Sequence, residues 1–265
     1  MGVAVQGVRI GRRVRASRAW RYAIAGALVA VTFVLGLMVG KAPMDPATVL
    51  GILASALPFA DVAPWWPASH GTILLEIRLP RVVMGALVGA ALSVAGASYQ
   101  GLFRNPLADP YLIGVAAGAG LGAAIAMAAP LPPVLYSLGI VQLAAFLSAM
   151  ATVGMVYSLA RVGRSAPVTT LLLAGVAMGS LASAATAFVM YGYGDKIAVI
   201  YAWMLGGFNV TSWQQVMLVA PFVLATTVVL SLMGRMSNVL QLDDDQARSL
   251  GIDVERVRLV LVTCA

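Results

Sequence analysis

The composition, the mean hydropathy and the long uncharged stretches of this sequence predict an all-α polytopic membrane protein. The 265 residues are 61% hydrophobic and only 10% charged, and the mean hydropathy is +0.92. Soluble globular domains typically carry about 25% charged residues and about 45–50% apolar residues. A soluble core could not bury so many apolar residues, so the composition argues against a soluble enzyme. It also argues against a nucleic-acid-binding domain, despite the net charge of +7.

The uncharged stretches indicate where the chain crosses the membrane. Five of them contain no Asp, Glu, Lys or Arg: 22–40, 82–103, 110–160, 165–194 and 197–234. A helix of about 20 residues crosses a hydrocarbon core of about 30 Å. The first, second and fourth stretches therefore fit one crossing each. The third is long enough for two, and prolines at 130, 132 and 133 supply the break between them.

The last uncharged stretch is predicted to hold one crossing near 213–234, preceded by a shorter segment over 197–208. Gly206, Gly207 and Asn209 separate the two. Another apolar run begins near Arg258. The sequence thus predicts six complete transmembrane helices and the start of a seventh.

The positive charges predict the orientation of these helices. Cytoplasmic segments of membrane proteins carry an excess of Lys and Arg. With the N-terminus inside, 13 of the 17 positive residues are cytoplasmic: Arg9, Arg12, Arg13, Arg15, Arg18, Arg21, Arg104, Arg161, Arg164, Arg235, Arg248, Arg256 and Arg258. Only Lys41, Arg78, Arg81 and Lys196 fall outside. We therefore expect residues 1–21 to form a basic cytoplasmic N-terminus before a first helix that is retained.

The spans lack the residues of an energy-coupled or catalytic membrane protein. The predicted crossings contain no ionisable residue except tyrosines, and the chain has one histidine, His70, and one cysteine, Cys264. Neither a metal site nor an enzymatic centre is expected from this set. The sequence also has no phosphate-binding loop. Uphill transport would therefore need energy from another subunit, and the alternative is a stand-alone channel or facilitator.

Two charged islands are candidate interaction sites. Arg78 and Arg81 lie at the predicted outer start of the second helix, where they either anchor the helix at the interface or dock an acidic external partner. Residues 239–258 mix leucines with charges and are predicted to form one or two short amphipathic helices, with Gly251 as a cap. This second island is either a solvated loop or a helix-in-groove contact with a cytoplasmic protein. A third island, 103–110, is predicted to be a tight turn.

Small residues recur every four positions in three predicted helices. The stripes are Gly85, Gly89, Ser93 and Ala97; Gly114, Gly118 and Gly122; and Gly175, Gly179, Ser183 and Ala187. Such stripes favour close helix packing in lipid. They are also compatible with the border of a pathway.

Several motifs, in order, resemble those of one transport family. They are RLPR at 78–81, GAALSVAG at 89–96, QGLFRNPLADPYLIG at 100–114, LLLAGVA at 171–177, WMLGGF at 203–208 and ARSLG at 247–251. This text resembles the FecCD family, the membrane permeases of ABC importers for iron-siderophores, haem and cobalamin. The resemblance runs from about residue 70 to the end of the sequence.

The resemblance implies an architecture and a set of partners. The family has a ten-helix fold and works as a homodimer with the pathway at the dimer interface. Two ATPase subunits bind the cytoplasmic face, and a substrate-binding protein docks outside. The implied location is the inner membrane of a prokaryote, with no cofactor on this chain and with ATP and Mg used by the ATPase. An iron-siderophore is the first substrate expected, with haem and cobalamin behind it.

The resemblance also implies roles for particular residues. Arg78 and Arg81 would dock the binding protein. Val168, Thr169 and Thr170 match the cytoplasmic gate, and Ser180, Ser183 and Thr186 are pathway candidates on the fifth helix. The implied ATPase-coupling residues are Leu242, Asp243, Asp244, Asp245, Gln246, Ala247, Arg248, Ser249, Leu250 and Gly251.

The extent of the resemblance predicts a single permease domain over 1–265, with coupling helices at 239–256. It implies about three further helices that are absent from this sequence, so we expect a C-terminally truncated permease. An inactive truncated fragment therefore stays open beside the permease and the stand-alone channel. Asp243 departs from the glycine that is common at its position in the family.

Overall fold

The computed structural model describes residues 2–60, 62–161, 163, 166–208, 211–242 and 244–265; the side chains of 2–18, 137, 244 and 245 are not described. These residues form thirteen α-helices and no β-strand. The helices are α1 (Gly2–Met38), α2 (Pro46–Ser55), α3 (Ala68–Thr72), α4 (Leu79–Phe103), α5 (Val115–Ala128), α6 (Pro133–Ser137), α7 (Ile140–Leu159), α8 (Val168–Gly192), α9 (Ile197–Met204), α10 (Trp213–Leu232), α11 (Gly234–Leu240), α12 (Asp244–Ser249) and α13 (Val254–Cys264). A π-helix covers Ile73–Arg78, and 3₁₀ turns cover Pro110–Ile113 and Gly194–Lys196.

The chain divides into two compact units, which are described separately. The first comprises Met1–Ala86 and Phe208–Leu218, and the second comprises Leu87–Gly207 and Val219–Ala265. The single domain over 1–265 stays a prediction.

Within the described residues, five helical segments are long and apolar enough to cross a membrane. They are Ala19–Met38, Ala68–Phe103, Ile140–Leu159, Val168–Gly192 and Trp213–Leu232. The third of the six predicted crossings is instead the 14-residue helix α5. At about 1.5 Å per residue α5 is about 21 Å long. The all-helical fold class is confirmed, and the predicted third crossing is shorter than the uncharged sequence around it suggested.

The short length of α5 follows from the turn that precedes it. The chain before it forms a 3₁₀ turn, in which the Asp109 carboxylate accepts a hydrogen bond of 2.8 Å from the Tyr111 amide. Gly114 follows with φ +77°, a left-handed conformation that interrupts helical geometry and favours glycine. The helix ends at Ala128, just before the predicted proline break. Four apolar residues at 110–113 are therefore used in a turn.

The second predicted crossing begins earlier than expected. The helix starts at Ala68 and continues through the π-helix into α4, so Arg78 and Arg81 lie within a continuous helical segment. Pro80 has no amide hydrogen to donate, which normally disrupts a helix. The π-register accommodates this region, since the Leu79 amide donates to the Leu74 carbonyl five residues back.

Glycine stripes in α5 and α8 allow close backbone contacts. A Cβ atom at Gly118 would overlap the Thr152 hydroxyl of α7, and one at Gly122 would overlap the Ala144 carbonyl oxygen. A Cβ at Gly175 would overlap the Leu112 carbonyl oxygen of the 3₁₀ turn. These contacts confirm the packing prediction for both helices. In α4, by contrast, a Cβ at Gly89 would meet no atom of the described residues within 4 Å.

The main core of the second unit joins several helix ends. It includes Tyr99 and Phe103 from the end of α4, Val156 and Tyr157 from the end of α7, Ala166 before α8, Leu230 from α10, Leu240, Ala247, and Val254, Val257 and Leu261 from α13. The α4–α5 and α7–α8 connections therefore lie at the same end of this unit as α11 and α12. This grouping agrees with the predicted alternation of loops along the chain.

Candidate functional site

Arg78, one of the two predicted docking arginines, is buried in the first unit. Its side chain is 8% exposed. The Nη1 atom donates to the carbonyl oxygens of Leu37 at 2.8 Å and Met38 at 3.0 Å, and Nη2 donates to the Ala42 carbonyl. These carbonyls belong to the last turn of α1 and the segment after it, where helical partners run out. A positive charge also complements the negative end of the α1 dipole.

The same region contains a second hydrogen bond from a side chain to a helical carbonyl. Because the Leu79 amide donates to Leu74, the Leu75 carbonyl loses its usual helical donor. The indole Nε1 of Trp213 donates to it at 2.9 Å. Arg81, the other predicted docking residue, is half-buried beside this segment.

An open groove of about 740 Å³ lies in the second unit, along α8 and the start of α5. Its lining residues are Asp109, Tyr111, Leu112, Gly114, Ala116, Ala117, Gly175, Val176, Gly179, Ser180 and Ser183. Two of the three predicted pathway residues, Ser180 and Ser183, therefore line it with exposed side chains. Thr186, the third, is 3% exposed and donates to the Ala182 carbonyl at 2.8 Å.

The groove wall offers weak and uncharged contacts for the most part. Glycine and alanine form much of it, and the Asp109 carboxylate accepts a hydrogen bond from the Tyr111 amide. The hydroxyls of Ser180 and Ser183 add polar groups on one helix face. Among the described residues, no cluster of three His, Cys, Asp or Glu could hold a metal ion.

The predicted gate residues form the first turn of α8. Pro167 precedes the helix in an extended conformation. Val168 packs against the main core, whereas Thr169 is exposed. The Thr170 hydroxyl donates to the carbonyls of Ala160 at 2.9 Å and Pro167 at 2.8 Å, so it links the end of α7 to the start of α8.

The predicted coupling segment, Leu242–Gly251, contains a short capped helix. Gly251 follows α12 with φ +80°. Its amide donates to the Arg248 carbonyl at 2.9 Å, and the Ile252 amide donates to the Ala247 carbonyl at 3.3 Å. This pair of hydrogen bonds is the Schellman motif. The predicted cap at Gly251 is confirmed.

One side of this segment is anchored and another is exposed. Ala247 is fully buried in the main core, while Leu242 and Leu250 are 43% and 63% exposed. Gln246, Arg248 and Ser249 are exposed as well. Asp243 lies outside the described residues, as do the side chains of Asp244 and Asp245.

Sequence reasoning missed three side chains that bind the main chain near this segment. Arg104 Nε donates to the Leu240 carbonyl at the end of α11, at 2.8 Å. Glu255 and Arg258, in the first turns of α13, both bind Ala166 in the α7–α8 connection. The Glu-x-x-Arg spacing places the last two on one helix face and was the available signal.

Comparison with known proteins places these features in a family. The model of the FecCD transport family matches residues 28–265. An uncharacterised ABC transporter permease protein of Bacillus subtilis (strain 168) is 36% identical over 253 residues, covering 94% of this chain and 71% of the relative. A cobalamin import system permease protein of Halobacterium salinarum is 38% identical over 218 residues, covering 81% of this chain and 58% of the relative.

Two further proteins extend the comparison. A hemin transport system permease protein of Yersinia pestis is 38% identical over 193 residues, covering 72% of this chain and 57% of that protein. This chain thus spans less than two thirds of the hemin and cobalamin permeases. A protein described as a metal-chelate type ABC transporter, solved in an inward-facing conformation, has a similar fold. Its TM-score is 0.72 at 24% identity, covering 90% of this chain and 70% of that chain.

The family match covers part of the first span, all of the later spans, the groove and the coupling segment. The membrane helices, the all-helical fold and the relatives lead to one conclusion: the chain is a membrane protein that belongs to the FecCD transport family.

Proposed function

We propose that this chain is the membrane permease subunit of an ABC importer that carries a metal chelate into the cytoplasm. The observation that carries the proposal is the coupling segment Leu242–Gly251. Ala247 anchors it in the core, and Leu242 and Leu250 remain exposed. Exposed leucines beside a short helix suit insertion into a groove of another protein. An ATPase in that position would supply the energy that the spans of this chain cannot.

The proposed assembly has three kinds of component. Two copies of the chain form a homodimer in the inner membrane of a prokaryote, with the N-terminus in the cytoplasm. Two ATPase subunits bind the coupling segments and use ATP and Mg. A substrate-binding protein docks on the opposite side of the membrane. The distribution of 13 of 17 positive residues supports this orientation.

The groove along α8 is the proposed part of the pathway in this chain. Ser180 and Ser183 face it, and small residues leave room for a bulky ligand. Weak contacts suit a carrier, because tight binding would slow release. The gate would be the first turn of α8 at Val168–Thr170. We place an iron-siderophore first as substrate, and the hemin and cobalamin relatives support the wider chelate class.

Docking of the binding protein is proposed at Arg78 and Arg81, whose environments in the structure differ. Arg78 is buried and donates to three carbonyls, and Arg81 is half-buried. Arg81→Glu therefore changes the more accessible of the two arginines, and Lys196→Glu, at an exposed positive residue of the predicted outer side, is its control. We expect only Arg81→Glu to weaken binding-protein affinity. Equal affinities for the two variants would remove Arg81 from the docking surface.

The permease proposal is tested by reconstituting the chain with its ATPase and binding protein in proteoliposomes. The probe is a radiolabelled ferric siderophore, and the readout is ATP-dependent uptake. Leu250→Asp places a charge in the proposed contact and should abolish ATPase binding. Leu250→Met keeps the apolar volume and should retain it.

The same experiment separates the alternatives. Siderophore flux without ATP or ATPase would indicate a channel or facilitator. Absence of uptake and of ATPase binding with the unaltered chain would indicate an inactive fragment. ATPase binding that survives Leu250→Asp would contradict the coupling surface while leaving the permease class intact.

A further inference from the structure

Two side chains of α13 bind both polar main-chain groups of one residue in the α7–α8 connection. The Ala166 amide donates to Glu255 Oε2 at 3.3 Å. The Ala166 carbonyl accepts a hydrogen bond of 2.9 Å from Arg258 Nη1. The same Nη1 atom lies 3.2 Å from Glu255 Oε1. We call this arrangement, made by Glu255, Arg258 and Ala166, the Ala166 clamp.

The Ala166 clamp is buried, which makes its geometry restrictive. Ala166 is fully buried and Arg258 is 3% exposed, whereas a quarter of the Glu255 side chain is exposed. A buried guanidinium needs acceptors for its hydrogen atoms, and an opposing charge offsets part of its desolvation cost. Hydrogen bonds to charged groups are also stronger than those between neutral groups. The α7–α8 connection is therefore held at a fixed place relative to the start of α13.

The clamp lies between two elements that transport must connect. Ala166 precedes the proposed gate, Val168–Thr170, by two residues. Glu255 follows the end of the coupling segment, Gly251, by four residues. Ala247 and Ala166 also belong to the same core, together with Val254 and Val257. The polar contact thus joins the start of α13, just after the coupling segment, to the residue two positions before the gate.

We propose that Glu255 and Arg258 are positioning residues that transmit movement of the coupling segment to the gate through the main chain of Ala166. The inference rests on the proposed function, since it assigns a role in ATP-driven gating. Both partners are needed: the carboxylate holds the amide and the guanidinium holds the carbonyl. Neither residue touches the chelate or ATP in this role.

The exposed ion pair on the same helix provides a matched control. Arg256 Nε lies 2.8 Å from Asp253 Oδ2, with the same spacing of three residues as Glu255 and Arg258. The Arg256 side chain is 86% exposed. Exposed pairs of this kind contribute little. Arg256→Ala therefore removes a charge and an ion pair from α13 without disturbing the Ala166 clamp.

The test compares Glu255→Ala, Arg258→Met, the double variant and Arg256→Ala in the full complex with ATPase and binding protein. Uptake of labelled ferric siderophore and ATP hydrolysis are measured per assembled complex. Loss of the clamp should raise the ATP hydrolysed per chelate transported about tenfold, within the range of typical coupling between sites. Arg256→Ala should leave that ratio unchanged.

The double variant Glu255→Ala/Arg258→Met separates transmission from stability. It removes both members of the ion pair together, so it should be more stable than Glu255→Ala. We expect it to remain as poorly coupled as the single variants. A wild-type ratio in the double variant, or an equal change with Arg256→Ala, would overturn the inference. Absence of ATP-dependent uptake by the unaltered complex would instead contradict the proposed function.

Discussion

Arg78 in the first unit and Arg258 in the second are both buried, yet their partners differ. Arg78 donates to three main-chain carbonyls around the end of α1. Arg258 donates to the Ala166 carbonyl and pairs with the Glu255 carboxylate. The first arrangement completes a helix end, and the second joins two segments distant in sequence.

The difference shows how a buried charge acquires its role. Arginine beside a helix C-terminus gains from orphan carbonyls and from the helix dipole without needing an acidic partner. Arginine in the core beside a connection needs a carboxylate, because desolvation is costly. Removing a partner should therefore have larger effects at Arg258 than at Arg78.

The largest expected effect is from Glu255→Ala. The variant leaves the Arg258 charge buried without its carboxylate and the Ala166 amide without its acceptor. The free energy of unfolding should fall by about 3 kcal/mol, the lower end for a broken buried pair, since Glu255 is partly exposed. Chemical unfolding of the purified chain in detergent–SDS micelles measures this loss. A loss below that of Arg256→Ala would contradict the comparison.

Arg78→Met should have the next largest effect. The variant removes the charge itself, so the cost comes from carbonyls that lose a donor and from the lost dipole interaction. We expect the free energy of unfolding to fall by about 2 kcal/mol, which is typical of hydrogen bonds to a charged group. The same micelle assay applies. Arg78→Lys retains the charge but not the planar fork and should lose about half as much.

Equal stabilities of Arg78→Met and the unaltered chain would change the view of the first unit. Arg78 would then contribute nothing to the stability of the first unit, and this result would support its role in the proposed docking surface. Loss of binding-protein affinity in parallel with loss of stability would instead assign it to the helix end.

Gly175→Ala tests a close approach that involves no charge. A Cβ there would overlap the Leu112 carbonyl oxygen, so α8 and the 3₁₀ turn must separate. We expect a loss of about 1–2 kcal/mol from overpacking. Gly89→Ala is the control, because the added methyl has space and alanine favours helix. Stabilisation by Gly175→Ala in the same unfolding assay would contradict the packing.

Much of the helix layout was predictable because the length of an uncharged stretch and the position of helix-breaking residues act locally. The prolines at 130, 132 and 133 separate α5 from α7, and Gly206 and Gly207 separate α9 from α10, as predicted. The short α5 was not predictable, because the left-handed Gly114 and its contact with Gly175 depend on tertiary packing.

The candidate site was less accessible to sequence reasoning. The Gly251 cap follows from local chemistry. The burial of Arg78 depends on Met38, about 40 positions away in the sequence. The Ala166 clamp depends on Arg258, about 90 positions from Ala166. Charge patterning indicates an island, but it does not tell whether each arginine faces a partner protein or a carbonyl of its own chain.

The smallest expected effect concerns Asp45, an exposed carboxylate in the first unit. It caps α2 by accepting hydrogen bonds from the Thr48 hydroxyl at 2.6 Å and the Thr48 amide at 3.2 Å. The Thr48 hydroxyl, and then its amide, hold the pKa of Asp45 below its ordinary value. A folded-state pKa below the unfolded one means that this stabilisation is present above the unfolded pKa. It is lost as the pH falls through the lower, folded value.

Asp45→Asn separates the charge from the cap. Asparagine caps helices about as well as aspartate but does not titrate. The two proteins should therefore converge in stability as the pH falls below about 4, the ordinary range of an Asp carboxyl. Thermal unfolding in detergent between about pH 7 and pH 3 measures the difference. A difference that stays constant across this range would show that the cap acts through geometry alone, without a contribution from the charge of the Asp45 carboxylate.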